Sequence, residues 1–189
     1  TSVGGISQIL GMMVVYPNLR SKLSNTIIFK LSLCLAIFGY AFLLALCLLG
    51  YSSVLTMLMV PGVIIFVANG ILTVLTTVFL ANTVDYGEVK TGHREESVIF
   101  SMQTFVVKAA SGLAVFITGV SLDLIGLTSK DGLGEGIPTF SSPLLGLRLL
   151  MTILPMIGLV LALVLFTRKF ILTDEKAEQI RKQLEEKKV

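Results

Sequence analysis

Long, uninterrupted apolar runs separated by short polar bends dominate the pattern of this chain. Four of the runs exceed the roughly twenty residues that an α-helix needs to cross a bilayer, whereas a first run is shorter. The runs are continuous rather than alternating, and they are far longer than the about ten residues of a membrane barrel strand. The pattern therefore predicts an all-α integral membrane bundle with four complete spans and one partial span.

The polar bends set the boundaries of the predicted segments. The predicted transmembrane helices are residues 26–50, 57–82, 97–126 and 143–168, with residues 1–17 as the end of another transmembrane helix. The predicted connections are a charged loop at 83–96, a Gly-rich external loop at 127–142 and a charged tail at 173–189. The tail is expected to be a capped helix, with Ala177, Ile180 and Leu184 on its apolar side.

Composition and charge agree with a membrane location. The chain is 54% hydrophobic and 14% charged, and its mean hydropathy is +0.89, values too apolar for a soluble domain of this size. Lysine and arginine concentrate at the first bend, the third bend and the tail, which the positive-inside rule places on the cytoplasmic side. The sequence thus predicts a multi-pass protein of the cell membrane, plasma or bacterial inner, with a cytoplasmic C-terminus. The scattered basic residues do not predict nucleic-acid binding.

The sequence offers no pattern for enzyme chemistry. It has no Cys/His cluster for a metal, no Ser/His/Asp set and no Gly-rich phosphate loop. Cys34 and Cys47 lie on one predicted helix, about 20 Å apart along its axis, so they cannot form a disulfide with each other. We therefore expect neither catalytic activity nor a cofactor or bound metal.

Lys108 is a single charge inside the fourth apolar run, where it costs roughly 2.5–3.5 kcal/mol on insertion scales. On a helix it shares a face with small and polar residues, namely Ser101, Thr104, Ser111, Gly112, Val115 and Gly119. This stripe is expected to line a cavity or a close helix contact. The alternative is an ion pair with a neighbouring helix, but no acidic residue of the chain lies at comparable depth. Asn69, Thr73 and Thr76 form a similar, weaker stripe that fits either a ligand site or hydrogen bonds between helices.

Asp123 and Arg148 are predicted to lie at similar shallow depth near the outer ends of the last two spans. If those antiparallel helices are neighbours, the two side chains can form an external ion pair. The alternative is that Arg148 extends alone to the lipid headgroups.

The charged loop and the start of the following span carry the most specific pattern. It runs Asp85-Tyr86-Gly87-Glu88, Lys90-Thr91-Gly92 and Arg94-Glu95-Glu96-Ser97, and continues with Gln103-Thr104-Phe105-Val106-Val107-Lys108. These residues at this spacing closely resemble the glycoside–pentoside–hexuronide:cation symporters, the group typified by the bacterial melibiose permease. One departure is Asn82, because the family commonly has an aspartate at this position.

The resemblance implies a major-facilitator fold of twelve helices, of which this chain supplies the end of helix eight and helices nine to twelve. It implies a cavity for a sugar or glycoside, to which Lys108 and Thr104 contribute, with Asn69 and Thr73 as further candidates. It also implies a cytoplasmic charged network containing Asp85 and Arg94. Glu88 and Lys90 are expected to join these two residues in a cytoplasmic gate. The ligands of the coupling cation, Na⁺, H⁺ or Li⁺, are expected on N-terminal helices of the same transporter. The alternative function is a non-transporting membrane subunit or an inactive truncated remnant.

Overall fold

The computed structural model describes residues 2–49, 55–125 and 142–186, and this part of the chain forms helices and no strand. Four of the helices are long and apolar enough to cross a membrane. The predicted all-α membrane bundle is therefore confirmed. The helices are α1 (Ser2–Leu10), a π-helical turn (Gly11–Val15), α2 (Tyr16–Arg20), α3 (Asn25–Leu48), α4 (Leu55–Thr91), α5 (Glu96–Ile125), α6 (Ser142–Lys169) and α7 (Asp174–Glu186).

Helix α4 is the centre of the bundle, because it packs against α1, α3, α5 and α7. Its Ile71 and Leu75 are buried together with Ile28 of α3. Helix α3 also packs on α6, through an aromatic cluster of Phe29, Phe79, Phe166 and Phe170 with ring centroids 4.3 to 5.7 Å apart. The first helical segment, residues 2–20, covers the core of Ile28, Ile71 and Leu75 with Val15, Tyr16 and Leu19. The best-packed side of the bundle is thus formed by α3, α4 and this segment.

The first helical segment differs from its predicted end at Pro17. The chain remains helical to Arg20, after a π-helical turn in which the Tyr16 N–H donates to the Gly11 carbonyl. Pro17 directly follows this turn inside one continuous helix, since Leu10, Val15 and Tyr16 all have helical backbone angles. The π-helical turn already departs from the regular α-helical hydrogen bonds just before the proline. A proline can therefore continue this helix, and the polar residues after it do not shorten it.

Helix α4 continues through much of the predicted charged loop. It ends at Thr91, and the connection to α5 is reduced to Gly92 and the three residues after it. Gly92 has a φ of 77°, the left-handed conformation that glycine adopts without steric cost, and its N–H donates to the Glu88 carbonyl. Asp85 and Glu88 consequently lie on a helix and not on a loop.

Two glycines bring the first helical segment and α4 into close contact. A Cβ atom on Gly11 would lie 2.5 Å from the Val67 carbonyl oxygen, and one on Gly70 would meet the Gln8 carbonyl oxygen. Small residues at membrane helix interfaces permit such approach of two backbones. The crossing therefore requires glycine on both helices.

The tail forms helix α7, which packs on α4. Ala177 and Ile180 are buried and Leu184 is half-buried, as the apolar pattern of the tail predicts. The docked helix brings the charged tail next to the polar end of α4. The predicted external loop at 127–142 lies almost entirely outside the described residues.

Candidate functional site

Arg94 gathers three carboxylates at the polar end of α4 into a charge cluster, which consists of Asp85, Glu88, Arg94 and Glu96. Its Nη1 donates to Glu88 Oε2 at 2.9 Å and to Asp85 Oδ1 at 3.2 Å, and its Nε donates to Glu96 Oε2 at 3.2 Å. Hydrogen bonds to Glu88 and Glu96 are the main reason that the pKa of Arg94 is raised above its ordinary value. An arginine is charged at physiological pH at its ordinary pKa, and the carboxylates favour that charged form further.

Local structure explains why these groups meet. Asp85 and Glu88 are three residues apart on α4, so their side chains share one face of the helix. The turn at Gly92 reverses the chain and returns Arg94 to that face. The carboxylate side chains of Asp85 and Glu88 are only 18% and 19% exposed, whereas Arg94 is 49% exposed. The structure thus joins three of the four predicted gate residues. The fourth, Lys90, is exposed and forms no ion pair within the described part of the chain.

The tail helix supplies a second arginine to the same end of α4. Arg181 Nε lies 3.9 Å from Asp85 Oδ2, and its Nη2 donates to Asn82 Oδ1 at 3.3 Å. Asn82 is 5% exposed. The sequence does not predict this contact, because the amphipathic pattern of the tail indicates a docked helix and not the surface on which it docks.

The other end of α7 is attached to α3. Asp174 Oδ2 accepts hydrogen bonds from the Thr26 N–H at 3.1 Å and from the Thr26 hydroxyl at 3.2 Å, and Arg20 Nη2 lies 3.8 Å from Asp174 Oδ1. The residue before α3, Ser24, makes no side-chain capping bond. Asp174 therefore satisfies a free N–H at the start of α3 and places a negative charge where a helix N-terminus favours one.

A polar cavity of about 410 Å³ lies between these two attachments of α7. Two arginines line it: Arg20, which contacts Asp174, and Arg181, which contacts Asp85. It is lined by Arg20, Asn25, Val78, Asn82, Asp174, Glu175, Ala177, Glu178 and Arg181.

Lys108 lies on the least covered helix of the bundle. No residue from 96 to 122 is buried, and the small and polar face around Lys108 is exposed along its whole length. The Thr104 and Ser111 hydroxyls donate to the carbonyls one turn earlier, at 3.0 and 2.9 Å, so their hydrogen bonds remain within α5. Within the described residues, no hydrogen bond or ion pair involves Lys108. Its stripe is therefore a surface that the described helices do not cover.

Asn69 and Thr73 are exposed on α4, and the Thr73 hydroxyl donates to the Asn69 carbonyl at 2.8 Å. No contact among the described residues joins them to Lys108, so a shared cavity remains a prediction. The side chain of Asp123 lies outside the described part of the chain. The Asp123–Arg148 pair is likewise still a prediction.

The described residues contain no group of histidine, cysteine and carboxylate side chains that could hold a metal ion. Cys34 and Cys47 are both free thiols. The titratable side chains that do cluster are those of the arginine–carboxylate contacts at the polar end of α4.

These features define a multi-pass helical membrane protein with a polar stripe on one span and a charge cluster at one end. The sequence matches the MFS/sugar transport protein family over residues 2–174, and the chain belongs to that family. The predicted relationship to melibiose-permease-type sugar symporters is thereby confirmed.

Individual relatives share about a quarter to a third of their aligned residues with this chain. The "Uncharacterized symporter YjmB" of Bacillus subtilis (strain 168) is 32% identical over 123 residues, which are 65% of this chain and 25% of that protein. A lactose permease of Lactobacillus delbrueckii subsp. bulgaricus is 27% identical over 172 residues, 90% of this chain and 26% of the relative. A lactose permease of Lactobacillus helveticus is 26% identical over an alignment that covers 98% of this chain and 28% of that protein. The chain thus spans about a quarter of the length of these relatives.

Proposed function

We propose that the chain is the C-terminal portion of a cation-coupled sugar symporter that works by alternating access. The observation that carries this proposal is the position of Lys108, a lone cation within a spanning helix, on a polar face that no described helix covers. Membership of a sugar transport family supports the proposal, as do relatives named lactose permease and symporter.

The energetics of Lys108 favour a polar cavity over a lipid contact. A charge facing lipid at mid-span costs several kcal/mol, and intramembrane charges usually face a bundle interior or a water-filled cavity. The neighbouring hydroxyls and small side chains make this face suitable for such a cavity. Further helices of the same transporter, on its N-terminal side, would complete the enclosure and supply the ligands of the coupling cation, Na⁺ or H⁺.

In this cavity the Lys108 ammonium donates hydrogen bonds to sugar hydroxyls or adjusts the affinity of the adjacent cation site. Thr104, on the same face, contributes to the lining, and Asn69 and Thr73 are further candidates on α4. Lysine has three donors on a flexible stem, so it can follow a substrate through a conformational change.

The charge cluster serves as part of the cytoplasmic gate in this proposal. Arg94 binds Asp85 and Glu88 at the end of α4, and loss of such contacts in one conformation shifts the equilibrium toward the other. Lys90 would join the gate in a state in which a carboxylate approaches it.

Sugar uptake by the full-length transporter in proteoliposomes tests the role of Lys108. Lys108→Val is expected to lower accumulation by at least about tenfold, because a charged hydrogen-bond donor is worth roughly 1.5–3 kcal/mol. Lys108→Arg should also reduce uptake, since a planar guanidinium does not replace a compact ammonium. Lys30→Val, at a lysine near the start of α3, is the matched control and should retain uptake. Accumulation by Lys108→Val at the wild-type rate would refute the assignment.

Imposed gradients test the coupling. Wild-type uptake should exceed equilibrium with an inward gradient of Na⁺ or of H⁺. Failure with both would favour a non-transporting subunit or an inactive remnant. The coding sequence upstream of Thr1 separates these cases independently. Further hydrophobic spans with membrane aspartates are expected there for a symporter, and a start codon directly before Thr1 is expected for a remnant.

A further inference from the structure

We infer that Arg181 of the tail helix is a positioning residue of the charge cluster, because it holds the Asp85 carboxylate in the orientation that binds Arg94. The tail helix thereby becomes part of the cluster and not only a covering for α4. The consequence for transport rests on the proposed gate, whereas the contact between Arg181 and Asp85 does not.

The two oxygens of Asp85 face different arginines. Oδ1 accepts from Arg94 at 3.2 Å, and Oδ2 lies 3.9 Å from Arg181 Nε. The two oxygens belong to one rigid, planar carboxylate, so an arginine at one oxygen restricts where the other oxygen points. Arg181 therefore reduces the freedom that Asp85 must lose when it binds Arg94.

Asn82 orients the Arg181 guanidinium. Its Oδ1 accepts from Arg181 Nη2 at 3.3 Å, and the Asn82 side chain is almost completely buried. A buried side chain keeps a fixed position, so its amide directs one edge of an arginine that is otherwise 60% exposed. Asn82 and Asp85 are three residues apart on α4, which places both acceptors within reach of a single guanidinium.

Polar contacts hold much of α7 in place. Within the described residues, Ala177 and Ile180 are its only buried side chains, and cavities of about 410 and 320 Å³ flank the helix. Its N-terminal attachment is Asp174 on Thr26, at the opposite end from Arg181. Exposed ion pairs are weak and are screened by salt, so the contribution of Arg181 is modest and should decrease at high ionic strength.

The rate at which a membrane-impermeant maleimide labels Ser111→Cys from the cytoplasmic side tests the inference. The full-length transporter would carry this substitution on the polar face of α5, with Cys34 and Cys47 replaced by serine. Arg181→Gln is expected to raise the labelling rate about two- to fivefold, which is the range that an exposed ion pair supports. The matched control is Lys182→Gln, because Lys182 is exposed and pairs with Glu178 outside the cluster. Lys182→Gln should be labelled at the same rate as the protein with an unsubstituted α7.

A double-mutant cycle separates positioning of Asp85 from general docking of the tail. Arg181→Gln should have no further effect in an Asp85→Asn background, because the group that it positions has lost its charge. It should keep its two- to fivefold effect in a Glu88→Gln background, since Arg181 does not contact Glu88. The inference is overturned by a wild-type rate in Arg181→Gln, by a persistent effect with Asp85→Asn, or by loss of the effect with Glu88→Gln.

The labelling readout depends on the proposed gate, and the Asp85→Asn single variant tests that gate by itself. An unsubstituted labelling rate in Asp85→Asn would contradict the proposed gate. A raised rate in Asp85→Asn beside an unchanged rate in Arg181→Gln would overturn the inference alone.

Discussion

Replacing Gly70 by alanine probes the contact between the first helical segment and α4. A Cβ atom at this position would meet the Gln8 carbonyl oxygen, and the Gln8 carbonyl carbon would lie 3.2 Å away. Both atoms belong to backbone, so no change of side-chain rotamer can relieve the overlap. Alanine at Gly70 is therefore expected to push the two helices apart.

The size of the effect follows from two opposing terms. Alanine is favoured over glycine in a helix interior by about 1 kcal/mol, whereas overpacking a close contact costs about 1–3 kcal/mol. Gly62 lies in the same helix, and a Cβ atom there would have nothing within 4 Å. Gly62→Ala therefore gains the helix preference of alanine without the cost of overpacking. The free energy of unfolding of Gly70→Ala should thus be about 1–3 kcal/mol below that of Gly62→Ala.

Denaturation of the purified protein in detergent micelles by sodium dodecyl sulfate, followed by circular dichroism, measures this difference. Gly11→Ala, on the other side of the contact, should be destabilised in the same direction. Equal stability of Gly70→Ala and Gly62→Ala would show that the two backbones can separate without cost, which would refute the reasoning.

Two further predictions concern packing within the bundle. The Ser32 hydroxyl is buried without a hydrogen-bond partner in the described structure. Ser32→Ala should therefore leave the free energy of unfolding unchanged or raise it by up to about 1 kcal/mol. A loss above about 1 kcal/mol in the same denaturation assay would contradict this prediction. Phe166→Leu removes ring contacts within the aromatic cluster and should lower the free energy of unfolding by about 1–3 kcal/mol. Phe38→Leu, at an exposed ring, should lower it by less than about 1 kcal/mol. Equal losses of stability in the two variants would argue against a special role of the cluster.

The sequence predicted the helical spans well because their signal is local. A continuous apolar run longer than a bilayer is thick has few alternatives to a spanning helix, since backbone groups in lipid must be hydrogen-bonded internally. The set of small and polar residues that share the Lys108 face also followed from helical spacing. The π-helical turn at Gly11–Val15 and the paired glycine contact did not, because they depend on how two separate helices cross.

The docking of α7 could not be predicted for a related reason. The apolar residues of the tail indicate which side of the helix is buried, but not which surface of the bundle covers that side. In the structure, Asp174 contacts the start of α3 and Arg181 contacts the end of α4. These contacts join residues far apart in the sequence, and no local pattern marks them.

The helical state of the end of α4 has the largest consequence for the candidate gate. The concentration of charge in 83–96 predicted a loop, yet charged residues also suit a helix that extends beyond the membrane into water. On that helix, successive acceptors are three residues apart, and they form one row: Asn82, Asp85 and Glu88. The row lets Arg94 bridge its last two members and Arg181 its first two, so that Asp85 is shared. A flexible loop with the same residues would have to lose conformational entropy before it could present such a row, which would weaken both bridges.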